Sequence, residues 1–218
     1  MTTRQTYQQE LEALRGELLK MGKIVAIAIH DAVMSLAKQD VALAHKVMDG
    51  DDTVDEMQIS IEDKCNLLIA RQQPMASDLR IISTGLKITT DLERMGDHAF
   101  DIARVTLQLA NQPLIKPLVD IPRMAQMAEK MLSDSLEAYT SMDIALAEKI
   151  CQDDDAVDDL YSQVFRELLT YMMEDPKTIS QATQLIFVGS YLERIADHAT
   201  NIAEWTIYLA TGQRLRKK

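Results

Sequence analysis

The stretch Asp91-Leu-Glu-Arg-Met-Gly-Asp-His-Ala-Phe-Asp-Ile-Ala-Arg104 returns, at an offset of 100 residues, as Tyr191-Leu-Glu-Arg-Ile-Ala-Asp-His-Ala-Thr-Asn-Ile-Ala-Glu204. A second block, Asp40-Val-Ala-Leu-Ala-His-Lys-Val-Met-Asp-Gly-Asp-Asp-Thr-Val-Asp55, returns as Asp143-Ile-Ala-Leu-Ala-Glu-Lys-Ile-Cys-Gln-Asp-Asp-Asp-Ala-Val-Asp158 at an offset of 103. Two blocks repeated in the same order mean a duplicated unit, so whatever the first half builds, the second builds again. Three of the five prolines, Pro113, Pro117 and Pro122, fall at the junction, where helix cannot run through. The halves are therefore 1–113 and 117–218.

The repeated unit is helical. Only 7 Gly in 218 residues leave few sites for the tight turns of a sheet protein, and 13 Met with many Ala and Leu favour helix. Periodicity breaks near Gln39-Asp40 and Gln72-Gln73-Pro74, and again near Met142-Asp143 and Asp175-Pro176, which makes three helices per half. Val54, Met57, Ile61, Cys65 and Leu68 form one apolar stripe on the middle helix. Ser77-Asp78 reads as an N-cap with an acid in the first turn, and Gly50, matched by Asp153, reads as a turn or kink before the middle helix. Long helices joined by short turns pack antiparallel, so the fold predicted is all-α: two tandem antiparallel three-helix bundles.

The charge sum, 23 − 34 = −11, argues against nucleic acid as a partner, since phosphates need a basic face. The basic run Arg214-Leu-Arg-Lys-Lys218 reads as a solvated terminus and is given no role. Cys65 and Cys151 lack metal-ligand spacing, the first residues lack an apolar signal core, and no run approaches the ~18 apolar residues of a membrane span. A reducing cytoplasm is the expected location.

On the third helix of the first half, a face marked by Leu79, Ile82 and Leu86 continues into Glu93, Asp97 and Asp101. The second half repeats this with Ile179, Ala182 and Ile186 followed by Glu193, Asp197 and Asn201. Carboxylates four apart are neighbours on a helix and repel by roughly 0.2–0.5 kcal/mol when exposed. Arg94, Arg104 and Arg194, water or bound cations are the candidates to offset this. The middle helices add Asp51 with Asp55 and Asp154 with Asp158, either as further oxygen ligands or as acids favoured at a helix N-terminus. A solvated acidic face remains the alternative for all of them.

Other residues point elsewhere. A di-iron centre would carry Glu-x-x-His pairs, and none is present. His98 and His198 directly follow the aspartates, about 100° round the helix, and read as packing or hydrogen-bonding residues. His30 and His45 are single. The methionines read mostly as core gap-fillers, and Trp205, Tyr208 and Leu209 as an apolar helix end belonging to the core. No Ser, Cys or Lys has a nucleophile setting, and no Gly-rich phosphate loop exists.

The repeated Leu92-Glu93-Arg94-x-x-Asp97 and Leu192-Glu193-Arg194-x-x-Asp197, with Arg71-Gln-Gln-Pro74-x-Ala76-Ser77-Asp78-Leu79-Arg80, resemble the PhoU family of bacterial phosphate-signalling regulators. Met21-Gly22 and Leu169-x-Tyr171-Met172-Met173-Glu174-Asp175 extend the likeness over nearly the whole chain. The resemblance implies two three-helix bundles and a non-enzymatic cytoplasmic adaptor. Such an adaptor couples the ATPase subunit of the phosphate-specific ABC transporter to a phosphate-sensing histidine kinase. It holds the starvation response off in ample phosphate and modulates uptake. It also implies a homodimer, contact with the membrane only through partners, and divalent or iron-type cations as cofactors. Their ligands carry over to Glu93, Asp97 and Asp101, to Glu193 and Asp197, and less directly to Asp51, Asp55, Asp154 and Asp158. Asn201 stands where the pattern has a third acid, so the second cluster should hold fewer or weaker cations. The competing expectations are a metal-dependent hydrolase or oxidase with the carboxylates as a two-metal site, and a scaffold whose acids never meet a metal.

Overall fold

The computed structural model describes residues 3–214, with side chains from Gln5, so most of the basic C-terminal run lies outside the described residues. Six helices follow in order: α1 (Thr3–Lys38), α2 (Val41–Gln72), α3 (Ser77–Leu109), α4 (Asp120–Ser141), α5 (Ile144–Glu174) and α6 (Ile179–Thr211). A single 3₁₀ turn, Pro176–Thr178, precedes α6, and no strand occurs among the described residues. The chain is thus two tandem three-helix bundles, as the repeat predicts.

Each bundle turns its first corner with the same device. Gln39 (φ 52) and Met142 (φ 55) end α1 and α4 in the left-handed region. The next residues, Asp40 and Asp143, donate their N–H back to Ser35 and Ala138, and their side chains accept from Leu43 and Leu146, each at 3.0 Å. The ends of one helix and the start of the next are satisfied by one aspartate. Because the corner is taken there, Gly50 is not a turn: α2 runs through it without a positive φ, correcting the expectation of a break. The α2–α3 corner differs too. Ala76 (φ 45, ψ −102) takes the N-cap position without a side-chain cap, and Ser77 is already helical, so only Asp78 plays its expected part, in the first turn.

The core is one continuous body. Ile88, Leu92, Met95, Ala99 and Ile102 on α3, and their mates 100 residues on, Val188, Leu192, Ile195, Ala199 and Ile202 on α6, are all fully buried. On the face that leads into the acids, Ile82 and Ala182 are fully buried, Leu86 and Ile186 half-buried, and Leu79 and Ile179 exposed. The acidic strips therefore extend the margin of the core rather than its centre. The stripe predicted on α2 is buried at Val54, Ile61, Cys65 and Leu68. Four methionines (Met21, Met95, Met124, Met131) fill the core, while Met75 and Met173 are more than 80% exposed. Leu209 is buried, but Trp205 and Tyr208 are only half-buried at the rim, edge-to-face at 5.8 Å. The exposed ring face of Trp205 takes cations instead of core: Arg214 lies 5.2 Å over Trp205 and Lys87 5.9 Å.

The halves pack on each other through α3 against α6 and α1 against α4. At the α1–α4 contact Gly22 leaves room for the Leu136 side chain, whose Cδ1 lies where a Cβ would stand. The linker is pinned rather than loose. Gln39 Nε2 donates to the carbonyls of Leu109 (2.9 Å) and Gln112 (2.7 Å), and Gln181 donates to Pro113 O and accepts from Ile115 N.

Candidate functional site

α3 and α6 run antiparallel and cross at their repeated histidines. The His98 ring stacks on Tyr191 with centroids 5.6 Å apart, and His198 Nδ1 bonds Asp91 Oδ1 at 2.9 Å. Since 191 and 198 are the mates of 91 and 98, the two contacts are exchanged by a pseudo-twofold axis, the intramolecular form of an isologous interface. The axis passes between His98 and His198, whose rings are 5.9 Å apart. Their packing and hydrogen-bonding role is the one read from the sequence. Burial, then His198, Arg194 and Arg94, push the His98 imidazole down to about 4, and its buried Nδ1 has no hydrogen-bond partner.

What the sequence could not show is that this crossing merges the two acidic strips. A single open basin of ≈1050 Å³ is lined by Asp51, Asp97 and Asp101 from the first half and by Glu193, Asp197 and Asn201 from the second, with Arg94, Arg194 and both histidines between. Members of both strips thus face one space, whereas Glu93, Asp55, Asp154 and Asp158 do not line it. Phe100, Tyr161 and Ser190 complete the lining and were not singled out from the sequence. Asp91, 9% exposed, was also missed, although it bonds His198 and, at 3.4 Å, Asn201 Nδ2. A signal existed: position 91/191 is one place where the repeat changes class, Asp to Tyr, and each of the two meets the other half's histidine.

The middle-helix acids do approach the third-helix acids. Burial, reinforced first by Asp55 and Asp97, pushes Asp51 up to about 6. Glu93 is raised by burial and by Asp97, with Arg94 opposing, and Asp101 by burial against Arg104. In the second half burial and then Asp197 raise both Glu193 and Asp158; Asp158 and Asp154 add to the field on Glu193, with Arg194 opposing. The local offsets are unequal. Arg94 lies 3.4 Å from Glu93 and 3.0 Å from Asp97, and Arg104 2.7 Å from Asp101. Glu93 Oε2 is nonetheless buried without a hydrogen bond, the Arg94 contact being an ion pair of poor hydrogen-bond geometry. No three His, Cys, Asp or Glu side chains among the described residues are gathered closely enough to hold an ion. All-carboxylate oxygen donors, crowded until their protons are held more tightly, are nonetheless the donor chemistry that suits hard cations.

Comparison with known proteins places this arrangement. The PhoU domain model matches the chain twice, over residues 18–106 and 121–206. The chain is 44% identical over 214 residues to a "phosphate-specific transport system accessory protein PhoU homolog" of Clostridium acetobutylicum, spanning 98% of each. It is 46% identical over 205 residues to the homolog of Aquifex aeolicus, spanning 94% of this chain and 93% of that one. The crystal structure of PhoU from Pseudomonas aeruginosa superposes with TM-score 0.92 at 41% identity, over 95% of this chain and all of that one. The phosphate transport system regulatory protein PhoU from Streptococcus pneumoniae does so with TM-score 0.90 at 32% identity, over 97% of this chain. With the duplicated frame, the two family matches and this likeness over almost its full length, the chain belongs to the PhoU domain family.

Proposed function

We propose that the chain is a non-enzymatic regulatory adaptor of phosphate uptake. It docks on the ATPase subunit of a phosphate-specific ABC transporter and on a phosphate-sensing histidine kinase, and it keeps the starvation response off while phosphate is ample. Relatives carrying the name of transport accessory proteins support this, as does the observation that carries it on the structural side: two like-charged strips converge on one open basin. That arrangement suits capture of cations or cationic side chains. It works in the cytoplasm as a homodimer and meets the membrane through its partners; no described helix is long and apolar enough to cross a bilayer. Its output is a coupling free energy: preference for one transporter state shifts the kinase equilibrium by the same amount. Co-purification of the ATPase subunit and the kinase's cytoplasmic part with the purified chain tests the reading. Capture of both, changing with phosphate or nucleotide, is the expected result; capture of neither under any condition overturns it.

Cations are the proposed cofactors. Glu93, Asp97, Asp101, Asp51 and Asp55 would hold one set and Glu193, Asp197, Asp154 and Asp158 the other, with Asn201 leaving the second weaker. A bound ion would supply positive charge that the strips lack. Calorimetric titration with Mn²⁺ should show binding that Glu93→Gln/Asp97→Asn weakens by about tenfold or more, roughly 1.4 kcal/mol. Identical isotherms for wild type and variant would remove the strips from cation binding.

A further inference from the structure

The duplication supplies an internal control for every surface, because each solvated position in one half has a mate in the other. Along α5, helical spacing aligns Asp154, Asp158, Tyr161, Phe165 and Leu169 on one face. Tyr161 lines the acidic basin and meets Phe165 edge-on at 6.4 Å. Phe165 and Leu169 are 38% and 39% exposed, and beyond them Met173 is 84% exposed. The first half, at the offset of 103, has Gln58, Glu62, Asn66 and Ala70 in these places. The register is secure, since the buried neighbours Ile61 and Cys65 match the buried Val164 and Leu168. The same fold thus tolerates a polar face here, and the second half carries an apolar one that its own packing does not require.

The charge beside this ledge differs as well. Glu93, Asp97 and Asp101 each have an arginine at ion-pair distance. Glu193, Asp197 and Asp158 have no salt bridge among the described residues, and Glu204 stands where the first half has Arg104. An apolar ledge running into carboxylates that no salt bridge within the chain holds, with only Arg194 easing the field on Glu193, is complementary to a helix with one apolar and one cationic face, whose cations would compete there with bound ions. A second copy of the chain fits poorly, because with a net charge of −11 it would bring further carboxylates against these.

We infer that the α5 ledge docks a basic amphipathic helix from a partner protein, its apolar side chains on Tyr161, Phe165 and Leu169 and its lysines or arginines reaching Asp158, Glu193 and Asp197. The inference rests on the adaptor reading and deepens it by naming the face and the chemistry of the partner.

A fluorescent peptide of leucines and lysines with helical spacing, about five turns long, is the probe. Anisotropy should show binding to the native protein that Phe165→Glu/Leu169→Asn, which installs the first half's residues, weakens about tenfold or more. Glu193→Gln/Asp197→Asn should weaken it and flatten its salt dependence. Circular dichroism checks that both variants fold. Equal binding by the ledge variant overturns the inference, as does equally tight binding of a scrambled peptide. So does a native dimer that the ledge variant turns into a monomer, which would assign the face to a second copy. Co-purification separates the two readings: partners captured equally by native and ledge variant sink the ledge alone, whereas peptide binding without partner capture sinks the adaptor reading alone.

Discussion

Leu192→Ala lowers the stability of the folded chain by about 2–5 kcal/mol, the range for emptying a fully buried leucine site in a core that cannot collapse around it. Leu192 is completely buried and lies next to Glu193, so it anchors the second acidic strip to the core. Its mate Leu92 is equally buried beside Glu93, and Leu92→Ala should cost a similar amount. Because α6 packs against both α5 and α3, the loss should not stay in the second bundle. Urea unfolding followed by the single tryptophan, Trp205, and by far-ultraviolet circular dichroism should give one shared midpoint, displaced in the variant. A displacement worth less than about 1 kcal/mol, or two separated transitions, would show that the core is looser or less continuous than the structure has it.

Asp51→Asn acts in the opposite direction and only at higher pH. The carboxyl titrates near 3.8 when unperturbed and at about 6 in the folded protein. As pH rises through that window, the unfolded chain releases its proton first, so folding stability falls and stays reduced above pH 6. Asparagine carries no such penalty. The full shift corresponds to roughly 3 kcal/mol, and water at this half-buried site screens it to about 1 kcal/mol. The variant should therefore be about 1 kcal/mol more stable than wild type at pH 7.5, and should match it near pH 4. Added Mn²⁺ should narrow the gap at pH 7.5 by doing for the wild-type carboxylates what the substitution does. A stability difference independent of pH would refute the electrostatic account of the basin.

Much of the architecture was legible in the chain. The repeat, the proline junction and the breaks at Gln39-Asp40, Gln72-Gln73-Pro74, Met142-Asp143 and Asp175-Pro176 sufficed for six helices in two bundles, because caps and helical periodicity are local. Local reasoning failed where two solutions compete. Gly50 resembles a corner, yet Asp40 had already closed the corner ten residues earlier, so the glycine stayed helical. Trp205 and Tyr208 have core spacing, yet at a helix end the rim and the cations Lys87 and Arg214 take part of their surface. The acids themselves were found by spacing, and their mutual field within each half follows from it. The partners Asp91, Tyr161 and Ser190 were not found, because their roles depend on which helix lies opposite.

Sequence by itself determined that this chain is built twice, that both copies are helical, and that each bears a strip of carboxylates in the same register. Those properties depend on residue type and on spacings within a single helix. Tertiary structure alone decided that α3 crosses α6 antiparallel at His98 and His198, so that the two strips line one basin and the α5 ledge opens beside it. The reason is physical: each strip's position within its own bundle follows from helical period, whereas the relation between bundles is set by side-chain packing across residues about a hundred positions apart, which no local pattern encodes.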